Sequence, residues 1–230
     1  MKGMVTNMKK FLIITIFLLS VIGLSACGKL DVIRDHSVNS YDTVLTLSGD
    51  RVLLDEKAEN WSLSAPDESA KFLWSMDVSK TLLDVRIETD AKPFLDAGLD
   101  PTKLPKGMLQ EDKIVVGTDF GDKYVESKKG DSALDAYKNI IFPNRSHLKY
   151  HANLDHFGID LTNGNVFEWA KNTKTNDKDI VFVLDPKEFI DAGVDPNKVK
   201  GWVYAKVETM DSKGKKIQVD KFLKPFDLDK

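Results

Sequence analysis

From residue 43 onward the chain alternates short apolar runs with polar turns. Val44 to Leu47, Leu82 to Thr89, Lys113 to Val116, Ile180 to Leu184, Val203 to Glu208 and Ile217 to Lys221 are rich in β-branched or alternating apolar residues and predict strands. Ser48 to Asp50, Asn163-Gly164 and Asp211 to Gly214 carry the turn residues that separate them. One stretch follows a helical period instead. Ala133, Leu134, Tyr137, Ile140 and Ile141 share a face behind Asp131, and Phe142-Pro143-Asn144 stops the helix.

The pattern is also duplicated. Asp90 to Lys103 returns 95 residues later as Asp185 to Lys198, with nine of fourteen pairs identical and Leu95/Ile190 and Leu99/Val194 apolar in both. Trp74 matches Trp169 at the same offset, and Val85 and Ile87 match Ile180 and Phe182. With one residue of slippage Trp61 falls on Phe157. In the shared segment Asp90 or Asp185 can accept the free amides of a helix start, with Pro186 at the first helical position. Gly98 or Gly193 supplies the left-handed residue that ends the helix. Asp-Pro at 100–101 and 195–196 then opens one further turn.

These elements predict an α+β protein of two tandem, repeat-related domains, each a twisted antiparallel sheet with one short helix. The first copy spans 43–129, the second 146–230, and the helix within 130–145 connects them.

The N-terminus departs from this pattern. Lys9 and Lys10 precede an uncharged run from Phe11 to Ala26, 16 residues, against roughly 20 needed to span a bilayer. Basic residues, apolar run and small residues together make a secretory signal over 1–26. Leu24-Ser25-Ala26-Cys27 resembles the lipobox of bacterial lipoproteins at all four positions. The resemblance implies cleavage after Ala26, a diacylglyceryl thioether on Cys27, and a location outside the cytoplasm on a membrane. Two acyl chains meet the physical requirement for a stable hold, which one chain does not. Residues 27–42 then form the lipidated N-terminus and a short tether. A start at Met8 would give a compact Met-Lys-Lys opening, and the sequence leaves the start open among Met1, Met4 and Met8.

Composition narrows the function. Cys27 is the only cysteine, so its acylation leaves no disulfide and the fold rests on its core. Residues 1–26 hold Lys2, Lys9 and Lys10 of the 33 basic residues and none of the 36 acidic ones, so the remainder carries a net charge of −6. That balance argues against nucleic acid as a partner.

Three of the four histidines fall between 147 and 156. With 152–155 as the loop of a hairpin, His151 lies opposite His156 and His147 opposite Asp160, all on one face, while Leu148, Phe157 and Ile159 share the other. Imidazole and carboxylate suit Zn²⁺, Cu²⁺ or Ni²⁺. The first copy has Arg51, Asp55 and Asn60 in place of the histidines, so this set belongs to the second copy alone. The plainer account is a solvated hairpin face. Trp74 and Trp169 are expected in the core, which leaves Trp61 and Trp202 as candidates for an exposed aromatic platform.

The chain has no Gly-x-Ser-x-Gly elbow, no His-Glu-x-x-His and no Gly-rich phosphate loop. The leading reading is therefore a non-catalytic lipoprotein that binds a small ligand or an envelope protein, with a groove between the two domains as the expected site. A metal-binding lipoprotein using His147, His151, His156 and Asp160, with Zn or Cu, is the alternative, and a cell-envelope hydrolase the third reading.

Overall fold

A computed structural model describes residues 32–76, 83–120, 125, 127–128, 130–151, 154–173, 178–210 and 215–228. The predicted signal segment, Cys27 and the turn predicted at 211–214 lie outside these residues. The first copy forms β1 (Val52–Asp55), β2 (Asn60–Ser64), β3 (Ala70–Ser75), β4 (Val85–Asp90), β5 (Leu109–Gln110) and β6 (Lys113–Thr118). The second forms β7 (Leu148–His151), β8 (His156–Asp160), β9 (Val166–Ala170), β10 (Ile180–Leu184), β11 (Val203–Met210) and β12 (Lys216–Phe226). The sheet orders are β1-β2-β3-β4-β6-β5 and β7-β8-β9-β10-β12-β11, the same plan twice, and every pairing is antiparallel. The α+β class and the antiparallel sheets agree with the sequence reading.

Between β4 and β5, and between β10 and β11, lie the short helices α2 (Lys92–Asp96) and α4 (Lys187–Asp191). Gly98 and Gly193 end them at φ +106° and +100°. The side chains of Asp100 and Asp195 accept the amides of Thr102 and Asn197, as their spacing predicts. Asp90 is used differently, in an ion pair with Lys113 at 2.5 Å.

The N-terminal part of the prediction needs correction. Residues 32–48 are one α-helix, α1, where a tether and a strand at Val44 to Leu47 were expected. Val38, Tyr41 and Val44 recur every three residues and are buried, which gives the segment a helical stripe reaching back beyond the alternating run. Tertiary burial of that stripe overrides the local β propensity. The predicted helix before the second copy is present as α3 (Ala133–Ile141), capped by Ser132, whose side chain accepts the amide of Asp135. It is more than a connector, because α1 is its equivalent at an offset of 96. Ser48 Oγ donates to the Val44 carbonyl in α1, and Asn144 Nδ2 donates to the Ile140 carbonyl at the end of α3. Each copy is therefore a helix followed by a six-stranded sheet.

Neither sheet covers its apolar face alone. The two inner faces close on one another, and equivalent residues meet. Phe72 stacks flat on Phe167 with centroids 4.0 Å apart, Phe94 stacks on Phe189 at 4.7 Å, and Tyr41 meets Tyr137 at 4.2 Å. Asp100 donates its amide to the Ala192 carbonyl at 2.8 Å, and Asp195 returns the bond to the Ala97 carbonyl at 2.9 Å. This reciprocity defines a local two-fold axis of the isologous kind found in homodimers. The helices cross it: the Trp169 indole donates to Ser40 Oγ of α1, and the Trp74 indole donates to the Ala133 carbonyl of α3. Buried residues of both copies make one continuous core.

Gly98 and Gly193 face each other at the axis. A Cβ on Gly98 would stand 2.9 Å from the Gly193 oxygen, and one on Gly193 would stand 3.0 Å from the Gly98 oxygen. Gly98→Ala should cost roughly 2–4 kcal/mol in denaturant unfolding, from left-handed strain plus a backbone clash. Gly49→Ala, at φ +51° with nothing within 4 Å, should lose only about 1 kcal/mol. Phe167→Ala should cost about 3–5 kcal/mol and lower the stability of both sheets in a single transition. Two separate transitions would show that the copies do not depend on each other.

Candidate functional site

The two copies share a plan, so the places where they differ are the candidates for function. The first is the β7–β8 hairpin. His151 and His156 are directly opposed, as the sequence register predicts, and Leu148, Phe157 and Ile159 are buried in the core. The four predicted ligands do not converge, however. His147 lies in a short 3-10 turn with its ring edge-on to Phe120 at 4.6 Å, and its Nδ1 is 3.4 Å from the backbone oxygen of Asp160. The Asp160 carboxylate faces Lys149 at 3.6 Å.

His151 and His156 gather instead on Glu168 of β9, a residue that the sequence reading passed over. His151 Nδ1 is 2.9 Å from Glu168 Oε1 and His156 Nδ1 is 3.7 Å from Oε2. Glu168 stands opposite Gly158, where a Cβ would come within 3.4 Å of the glutamate's Cγ. Glu168 and His156 are buried, and both ring nitrogens of His156 lack a hydrogen-bond partner. The hydrogen bond to Glu168 raises the pKa of His151 against the opposing effect of burial. Burial favours the neutral Glu168, but the hydrogen bond from His151 and the nearby imidazole of His156 outweigh it and hold the pKa below the ordinary value. Among the described residues no three His, Cys, Asp or Glu side chains are arranged to hold a metal ion. The signal that marks Glu168 is comparison of the copies, since its equivalent is the buried, apolar Leu73.

The second difference is the outer face of the sheet. In the first copy Glu88 is 2.8 Å from Arg86 and 3.1 Å from Lys71, a charged row across β3 and β4. The equivalents in β9 and β10 are Val166, Val181 and Val183. The row continues onto Leu223 and Val203, and Val203 is 52% exposed.

The third difference is a longer hairpin. The offset between equivalent residues widens from 95 at Asp90 and Asp185 to 108 at Lys113 and Lys221, which make matching ion pairs. The thirteen extra residues all fall in β11–β12, which pairs Val203–Met210 with Lys216–Leu223 where β5–β6 pairs only two residues a side. Strand alternation puts Val203, Ala205, Val207 and Thr209 with Ile217, Val219, Lys221 and Leu223 on the outer face, where Lys221 is drawn aside to Asp185 and the Gly164 carbonyl. The strand β11 is the sheet edge.

An open cleft of about 310 Å³ lies at the first copy, lined by Asp50, Arg51, Ser64, Glu68, Glu88 and Lys113 among others. Burial pushes Glu88 toward neutrality, yet Arg86 and Lys71 hold it ionised, the opposite of what a general acid requires. Trp202 is buried against Phe94 and Trp61 is partly buried, so neither forms the exposed platform considered from the sequence. No helix among the described residues is long and apolar enough to cross a membrane. No protein-family model, no curated protein and no solved structure matches the chain.

The histidine cluster has a pH signature. With its pKa raised above 6.5, His151 contributes full stability below that value and loses it as pH rises through the folded pKa. With its pKa lowered below 4.5, Glu168 contributes above that value and loses it as pH falls. Both contributions are present between 4.5 and 6.5. The denaturant midpoint should therefore peak in this window, and Glu168→Gln should flatten its alkaline fall. A triple variant, His151→Asp, His156→Asn and Glu168→Leu, restores the first copy's residues and should lose no more than about 1 kcal/mol, because buried ion pairs seldom outperform apolar packing.

Proposed function

We propose that this chain is a non-catalytic binding protein held outside the cytoplasm by lipid on Cys27, with the outer face of the second sheet and its extended hairpin as the recognition surface. One observation carries the reading. At equivalent positions of the same fold, a charged outer row becomes Val166, Val181 and Val183 and is prolonged by an apolar hairpin face. A contiguous apolar surface on a folded protein marks a contact site more often than a solvated one. The groove between the copies, the site anticipated from the sequence, is filled by the aromatic pairs of the shared core.

Two measurements test the reading. Cells producing the chain and fed an alkyne fatty acid should yield a labelled protein, and Cys27→Ser should abolish the label. Phage-displayed peptides selected on the full chain should favour alternating apolar sequences, and binding should drop by about tenfold or more, roughly 1.4 kcal/mol, on Val203→Lys/Ile217→Lys. Absence of label, or selected peptides indifferent to the double variant, would remove the corresponding half of the reading.

A second reading is favoured by the buried imidazole of His156, neither of whose ring nitrogens makes a hydrogen bond. It is transition-metal binding by His151, His156 and Glu168, with the His151–Glu168 bond exchanged for metal bonds. Calorimetric titration of the full chain with Zn²⁺ and with Cu²⁺ decides it, since no heat at micromolar metal discards the idea.

A further inference from the structure

β11 is the exposed edge of its sheet, and among the described residues only β12 pairs with it. Eight residues long, it presents unpaired amides and carbonyls over a length that edge strands usually avoid. Natural edges are commonly protected by charge, and β11 carries Lys206 and Glu208. Their arrangement does not protect against every partner. In an antiparallel pair of two β11 strands centred on Val207, Lys206 of each copy lies opposite Glu208 of the other, twice by symmetry.

The adjacent registers fail. Centring on Lys206 or Glu208 sets like charges directly opposite, which destabilises a strand pair. Centring between residues sets Val207 opposite Lys206 and breaks the apolar face, because directly opposed residues point to one side. The register on Val207 joins Ala205, Val207 and Thr209 of one copy to Thr209, Val207 and Ala205 of the other and makes the outer faces continuous. It also extends a charge row already present. Lys206 pairs with Asp220 at 3.2 Å and Glu208 with Lys216 at 2.6 Å within the hairpin, so signs alternate across all four strands.

We infer that the edge of this surface pairs with a second copy of the chain, joined through β11 in the register centred on Val207. The inference rests on the reading of the hairpin as a recognition surface and names the occupant of its edge. The result is a symmetric junction over residues 204–210 of each copy between two six-stranded sheets, with the core of each copy undisturbed. Confinement of both copies to one membrane by their anchors raises their effective concentration, which compensates for a modest interface.

The test uses the full chain in membranes of producing cells. Val207→Cys, treated with a mild oxidant, should give a disulfide-linked dimer on a non-reducing gel, since the two cysteines would be direct cross-strand neighbours. Lys187→Cys, on the exposed start of α4, should remain monomeric. Chains carrying Ala205→Cys and Thr209→Cys should cross-link when produced together and hardly at all when produced alone. Lys206→Glu should reduce the Val207→Cys dimer about tenfold, and adding Glu208→Lys should restore it. Unchanged thermal unfolding of each variant would confirm that the fold is intact. Cross-linking at 207 no greater than at 187, or a dimer insensitive to both charge changes, overturns the inference. If peptide selection on Val203 and Ile217 succeeds while the dimer is absent, the recognition surface stands and its self-pairing falls.

Discussion

Where the local two-fold axis passes between two copies, a residue meets its own equivalent, and any change in one must suit a partner of the same kind. Phe72 on Phe167, Phe94 on Phe189 and Gly98 against Gly193 all sit under that constraint. The glycines are the tightest case, because each backbone oxygen occupies the volume that a side chain on the other would need. The reciprocal amide bonds between residues 97–100 and 192–195 depend on that closeness, and the facing of the two sheets depends on them. Around this seam each sheet buries an apolar face that it has no means of covering by itself. The two copies are one folding unit built as an internal dimer.

The seam also explains what was legible in the sequence. Asp90 to Lys103 and Asp185 to Lys198 are alike because they contact each other, and the caps at Asp100 and Asp195 were readable from local chemistry alone. The hairpin register at His151 and His156 followed from alternation. Helix α1 was not readable, because the buried stripe of Val38, Tyr41 and Val44 is masked by the β-branched and alternating residues from Thr43 to Leu47. Its equivalence to α3 rests on a 96-residue offset with little identity, visible only once Tyr41 and Tyr137 are seen to stack. Glu168 was missed for a different reason: no local pattern distinguishes a glutamate that folds in between two histidines from one that points to water.

Most departures from symmetry lie away from the axis. The first copy keeps a solvated outer face with its ion pairs, and the second carries the valine row, the long hairpin and the histidine cluster. Duplication supplies a scaffold in which one half holds the other, so the outer strands of the second half are released from any matching requirement. Buried Lys224 shows the same freedom inside the core. It occupies the place of Val116 and reaches Asp67 of the first copy at 2.7 Å, a cross-copy pair with no symmetric counterpart at Val116.

The exchange of helices across the axis sets an order of assembly. Ser40 is bonded to Trp169, Arg51 to the Leu228 carbonyl and Asp67 to Lys224, contacts separated by 129, 177 and 157 residues. The first copy is therefore left with an uncovered helix and open sheet until the last strand has been synthesised. A chain rich in such distant contacts folds slowly. Under the proposed export across a membrane, that delay keeps the threaded state available until the whole length has crossed.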